Sequence, residues 1–140
     1  MFRSFFIITL LLSFSFASDI AIVKKLSGNA FAKRGDTLAK LVIGSKIQTG
    51  DILITKAKSS LGFIFHDGTI LSLGENSILA IKEYLFQPLK NKYDFDVNMK
   101  KGLASFESGK IGKLSPQSVK FRVPEGVVGI RGTKFYVEVK

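Results

Sequence analysis

Leu61-Gly62-Phe63-Ile64-Phe65-His66-Asp67-Gly68-Thr69-Ile70-Leu71-Ser72-Leu73 is two apolar runs joined by one short polar turn. Asp-Gly is the strongest local hairpin signal. Tight turns that match strand twist need a positive φ, and Gly adopts it freely. The first run, residues 61–65, has no polar side chain, which predicts a strand covered on both faces. Residues 69–73 and 77–82 read as weaker strands. Downstream, apolar and polar residues alternate with the period of a half-buried strand. Phe95, Val97 and Met99 alternate with Asp94, Asp96 and Asn98. Val119, Phe121 and Val123 alternate with Ser118, Lys120 and Arg122, and residues 134–140 repeat the pattern with Phe135, Val137 and Val139. Upstream, residues 20–26, 29–33 and 38–43 give three more candidates.

Turn signals separate these runs at short spacing: Ser27-Gly28-Asn29, Arg34-Gly35-Asp36, Thr49-Gly50-Asp51, Leu73-Gly74-Glu75-Asn76, Lys101-Gly102 and Pro124-Glu125-Gly126. No window sustains the apolar stripe of a major helix. Residues 83–93 read as an irregular strand followed by a surface turn, since Pro88 breaks a helix there and Lys90, Asn91 and Lys92 keep the second half wet. The expectation is an all-β, compact single domain of many short strands with Gly turns, arranged as a β-roll, solenoid-like or sandwich fold.

The N-terminal segment reads differently. Arg3 is followed by an apolar run from Phe5 to Phe16, and Asp19 stops it short of the roughly 20 residues that span a bilayer. Ser15-Phe16-Ala17 has the small-x-small form of a cleavage site. Residues 1–17 are therefore expected to be a signal peptide, with residues 18–140 the exported, periplasmic domain. No later stretch approaches spanning length, so no transmembrane helix is expected after cleavage. The sequence has no Cys and a single His, His66. A disulfide framework, a thiol nucleophile and the usual Cys/His zinc sites are excluded.

The full chain of 140 residues carries 21 Lys and Arg against 11 Asp and Glu, net +10. Without Arg3 the balance is 20 against 11, or +9. A basic chain raises nucleic acid first, but export argues against it. The positive residues are spread out, and only Arg34, Arg122 and Arg131 of the remaining 20 are Arg, the residue favoured for bidentate phosphate contacts. Anionic lipid headgroups or cell-wall glycans are the acidic partners that an exported basic surface meets.

Candidate chemistry falls away motif by motif. His66-Asp67 lacks the further ligands a metal site needs and suits a hairpin turn. Residues 94–98 resemble the start of a calcium loop, but Met99 and Ser105 stand where Gly and Glu are required. Arg34-Gly35-Asp36 matches an adhesion tripeptide and reads as a turn. No Gly-x-Ser-x-Gly elbow occurs. Ser108-Gly109-Lys110 lacks the first Gly of a phosphate loop and the Ser or Thr after its Lys. No cofactor is called for, and no enzyme activity is expected.

Three longer phrases stand in one order. Residues 42–55 contain Gly50-Asp51-Ile52-Leu53-Ile54-Thr55. Residues 61–73 contain Asp67-Gly68-Thr69 between apolar runs. Residues 123–137 contain Arg131-Gly132-Thr133-Lys134-Phe135-Tyr136-Val137. This set resembles the FecR domain family, whose pattern is a Gly-Asp-x-apolar-x-Thr phrase, a central Asp-Gly-Thr/Ser hairpin and a closing Gly-Thr-x-Phe-x-Val strand. The resemblance covers most of residues 18–140. It implies an all-β module outside the cytoplasm that acts by protein contact or sensing. On the residues themselves, Gly50, Asp51, Asp67, Gly68, Thr69, Arg131, Gly132, Thr133 and Phe135 are structural positions. FecR regulators carry a cytoplasmic sigma-factor-binding segment and a membrane helix before this domain. Neither is evident here, so the sigma-regulator role is not carried over. Many relatives continue past the last motif strand, so residues 134–140 are expected to present an open edge, with Lys134, Tyr136 and Glu138 as partner-facing positions. The expected function is protein–protein interaction or sensing in the cell envelope, and the alternative is electrostatic binding of anionic glycan or lipid.

Overall fold

The computed structural model describes residues 19–130 and 134–140. They form twelve strands: β1 (Asp19–Ser27), β2 (Ala30–Arg34), β3 (Thr37–Lys40), β4 (Lys46–Gln48), β5 (Ile52–Thr55), β6 (Ser60–Phe65), β7 (Ile70–Leu73), β8 (Ile78–Gln87), β9 (Lys92–Glu107), β10 (Val119–Val123), β11 (Gly126–Val128) and β12 (Lys134–Val139). One short helix, α1 (Lys110–Leu114), follows β9. The fold is all-β, as the alternation and turn signals require. Its arrangement is a curled sheet, a half-barrel.

The main path runs β3-β2-β5-β8-β9-β7-β6-β1-β4, and β9 is its hinge. The first half of β9 lies between β8 and β10, and its second half between β7 and β12. Every pairing is antiparallel except β9–β10, which is parallel. That exception needs a crossover, and the segment carrying α1 supplies it. The two ends of the path, β3 and β4, are consecutive in sequence. Their connector is tied to both ends of the sheet: Leu41 N–H donates to Ala30 C=O and Gly44 N–H to Val23 C=O, each at 2.9 Å.

Two expectations need correction. Lys101-Gly102 does not reverse the chain, because β9 continues through it. Gly102 has φ +102°, and a Cβ there would lie 2.5 Å from Ser77 Cα. The residue bends one strand from the first branch of the sheet into the second, a common use of Gly inside a strand. Residues 38–43 are not strand throughout. Leu41 turns into the core, and Val42 and Ile43 lie exposed in the connector.

The core follows the alternation read from sequence. Phe95, Val97 and Met99 are buried, as are Val119 and Phe121, while Leu61, Phe63 and Phe65 fill the centre. A chain of rings crosses the interior. Phe65 packs edge-on against Phe95 with centroids 4.9 Å apart, and Phe95 meets Phe106 at 5.6 Å. Phe135 stacks on Phe106 at 4.9 Å and meets Phe121 edge-on at 5.5 Å. Such pairs add about 0.5–1.5 kcal/mol each beyond their buried area. Phe135 thereby ties β12 to a chain of rings whose other members here come from β6, β9 and β10.

Candidate functional site

The Asp67-Gly68-Thr69 hairpin is a buried clamp. Phe65 N–H donates to Thr69 C=O at 2.8 Å and Gly68 N–H to Phe65 C=O at 3.0 Å, closing the turn between β6 and β7. Gly68 supplies φ +89°. The Asp67 side chain folds inward and is buried. Its Oδ2 accepts from the Thr69 hydroxyl at 2.7 Å and from Ile111 N–H at 3.0 Å. Its Oδ1 accepts from the Tyr84 hydroxyl at 2.9 Å and from Thr69 N–H at 3.3 Å. Asp67 C=O takes Lys110 N–H at 2.9 Å. Asp67 thus satisfies two free amides at the start of α1, Ile111 N–H with its carboxylate and Lys110 N–H with its backbone carbonyl; the carboxylate does the task of an N-cap side chain from outside the helix.

Two neighbours complete the clamp. The Tyr84 hydroxyl also accepts Asp67 N–H at 2.9 Å, so it bridges backbone and side chain of one residue. Burial, and then the adjacent Asp67 charge, push the Tyr84 phenol well above the ordinary tyrosine range. Gly109 passes so close that a Cβ there would lie 2.3 Å from Thr69 N. Its N–H donates to Thr69 Oγ1 at 3.2 Å.

Gly50-Asp51 forms a second hub. Gly50 has φ +91° and leads into β5. Asp51 is fully buried and accepts from Arg34 Nε and Nη2, each at 2.8 Å, and from Gln48 N–H at 2.9 Å. The hydrogen bond to Asp51 holds the Arg34 guanidinium above its ordinary pKa. Arg34-Gly35-Asp36 is the β2–β3 hairpin, and its Arg serves this buried carboxylate. At the end of the same phrase, the buried Thr55 hydroxyl donates to Gly74 C=O and accepts Ser77 N–H at 2.9 Å. Ser77 Oγ in turn accepts Leu103 N–H at 3.0 Å, beside the Gly102 bend.

Phe135 stands in the core, half-buried. Lys134, Tyr136 and Glu138 share the outer face of β12, and Tyr136 is 75% exposed. Tyr136 and Glu138 border a shallow depression of about 480 Å³ shared with Leu103 and Ser105. Among the described residues β12 pairs only with β9, leaving its other edge without a ladder partner. Arg131, Gly132 and Thr133 lie outside the described residues. His66 is exposed in its turn, and Asp96 of the calcium-like phrase pairs with Arg122 across β9–β10 at 2.8 and 3.2 Å.

A family model described as FecR protein matches residues 51–140, about two thirds of the chain. The chain belongs to the FecR family. Comparison with curated proteins and with solved structures returned no match. The match begins at Asp51 and takes in the Asp67 clamp, the Gly102 bend and β12. In this FecR domain the described motif residues are brought to three separate places and do not converge on one catalytic cleft. Asp51 and Asp67 spend their oxygens on hydrogen bonds that hold strands and α1 in register. Sequence reading missed Arg34, Tyr84 and Gly109 as members of these hubs. Arg34 and Tyr84 each lie 17 residues from their Asp partner, and no local pattern joins them.

Proposed function

We propose that this protein is an exported, non-enzymatic FecR module that works by contact with another protein in the cell envelope, through the edge of β12. The observation that carries the reading is a six-residue strand that, among the described residues, is paired on one side only, with Tyr136 standing out from it. An unpaired edge offers a ready ladder of backbone donors and acceptors to an extended segment of another chain. The family supports a sensing role at the envelope. The structural engagement of both motif carboxylates supports a module without chemistry of its own. The N-terminal segment, residues 1–17, serves as the signal peptide, and the working domain begins at Ser18.

The test is crosslinking of the tagged protein in its own envelope, followed by mass spectrometry of the captured material and of the protein's N-terminus. A dominant envelope protein that is lost in Tyr136→Ser, on a chain starting at Ser18, is the expected result. Capture that survives the substitution overturns the edge. Diffuse capture of wall or lipid material that disappears at high salt overturns protein contact in favour of an anionic surface.

A further inference from the structure

We infer that the β12 edge pairs with β12 of a second copy, antiparallel and centred on Tyr136. This rests on the reading of β12 as a contact edge and names its occupant. An antiparallel pair related by a two-fold axis at Tyr136 sets Tyr136 opposite Tyr136, Lys134 opposite Glu138 and Phe135 opposite Val137 of the other copy. Directly opposed residues in a ladder share a face. Lys134, Tyr136 and Glu138 are the exposed positions of β12, and Phe135 and Val137 the half-buried ones. Charged groups of opposite sign therefore meet on the outer face, twice by symmetry. The two half-buried apolar residues meet on the core face and extend the core across the junction.

About Tyr136 the strand is self-complementary in charge, with Lys134 two residues before it and Glu138 two residues after, and self-complementarity is what an isologous contact demands. Lys134 already stands opposite Glu107 of β9. In the pair it would lie between two carboxylates, Glu107 and Glu138 of the other copy. The end strands are shorter: β3 has four residues, and β4 and β11 have three each. Residues 82–87 of β8, beyond its pairing to β5, are as long, but their register to β9 shifts between Ile81 and Glu83. β12 has six, with no Pro and no bulge in its pairing to β9.

Sedimentation of the full exported protein over a range of concentrations tests this. The wild type is expected to form a dimer. Lys134→Glu or Glu138→Lys alone puts like charges opposite each other in both symmetry-related pairs and should weaken association about tenfold or more. The double variant Lys134→Glu/Glu138→Lys restores opposite pairs and should return within about threefold of the wild type. A wild type that stays monomeric, or a double variant as weak as the singles, overturns the proposal. Because the chain has no Cys, Tyr136→Cys offers one thiol per copy. Opposed Cα atoms in a ladder lie about 4.5–5.5 Å apart, within disulfide reach. Oxidation should yield a covalent dimer, and its absence also overturns the pairing. A monomer that still captures an envelope protein through Tyr136 would sink self-pairing and leave the edge reading intact. A dimer that captures nothing else would uphold self-pairing and sink only the contact with a different envelope protein.

Discussion

The Arg34 guanidinium grips both oxygens of the Asp51 carboxylate, Nε to Oδ1 and Nη2 to Oδ2, each at 2.8 Å. Asp51 is fully buried, while the Arg34 side chain remains about half exposed. The pair pins the β2–β3 hairpin to the turn that starts β5. Removing the arginine leaves a buried carboxylate with Gln48 N–H as its remaining donor among the described residues. Breaking a fully buried pair costs about 3–5 kcal/mol, and water around the guanidinium lowers that figure here. Arg34→Met should therefore destabilise the fold by about 1–3 kcal/mol. In an Asp51→Asn background, where no charge is stranded, the same substitution should cost under about 1 kcal/mol. Urea midpoints of the four proteins in this cycle measure the coupling. Equal costs in both backgrounds would show that the pair contributes nothing.

A second anchor joins Asp67 to α1. Asp67→Ala strips acceptors from Ile111 N–H, the Thr69 hydroxyl and the Tyr84 hydroxyl at once, all inside the protein. Each buried group left without a partner costs about 1–3 kcal/mol, so the expected loss is at least about 3 kcal/mol. Asp67→Asn retains one carbonyl oxygen and should lose less. Because the clamp reaches α1, amide hydrogen exchange at Ile111 should accelerate more than at Phe63 in the core of β6. Uniform acceleration at both sites would mean that the variant opens the whole fold rather than the clamp.

What could be read from the sequence was local. The Asp67-Gly68 hairpin, the alternation of residues 94–99 and the inward positions Phe135, Val137 and Val139 all follow from neighbours within a few residues. The partners of the hubs do not. Ile111 N–H lies 44 residues from Asp67, and its arrival depends on β9 running its full length before α1 turns back. The Lys101-Gly102 phrase shows the same limit. Gly marks a break in regular strand geometry, but whether the chain bends or reverses is decided by Ser77 on a different segment. The parallel β9–β10 pairing was equally out of reach, because a strand's alternation does not record its direction.

Gly102 and Gly50 have similar positive φ, +102° and +91°, yet they should respond differently to Ala. At Gly50 a Cβ meets nothing within 4 Å, so Gly50→Ala costs only the backbone strain, about 1–2 kcal/mol. At Gly102 the added atom lies 2.5 Å from Ser77 Cα and 2.1 Å from Ser77 Oγ. Ser77→Gly would clear the hydroxyl but not the Cα, so it should not rescue Gly102→Ala. Thermal unfolding of the three variants tests this. Recovery of Gly102→Ala by Ser77→Gly would show that side-chain crowding, not backbone approach, governs the bend.

Tyr84 gives the fold an alkaline limit. Its phenol is held above the ordinary value of 10.0 first by burial and then by the Asp67 charge beside it. The unfolded chain releases this proton at the ordinary value, whereas the folded chain keeps it. The folded state therefore binds more protons above pH 10, and stability falls as pH rises from there. Below that pH the contribution is fully present. Tyr84→Phe removes the titrating group along with its bonds to Asp67, so the variant should start less stable at neutral pH and lose less between neutral and alkaline conditions. The phenolate absorbance of the wild type and the variant should coincide until the wild type unfolds, and differ by one tyrosine afterwards. An extra phenolate in the wild type while the fold is still intact would show that the hydroxyl is not held by the clamp.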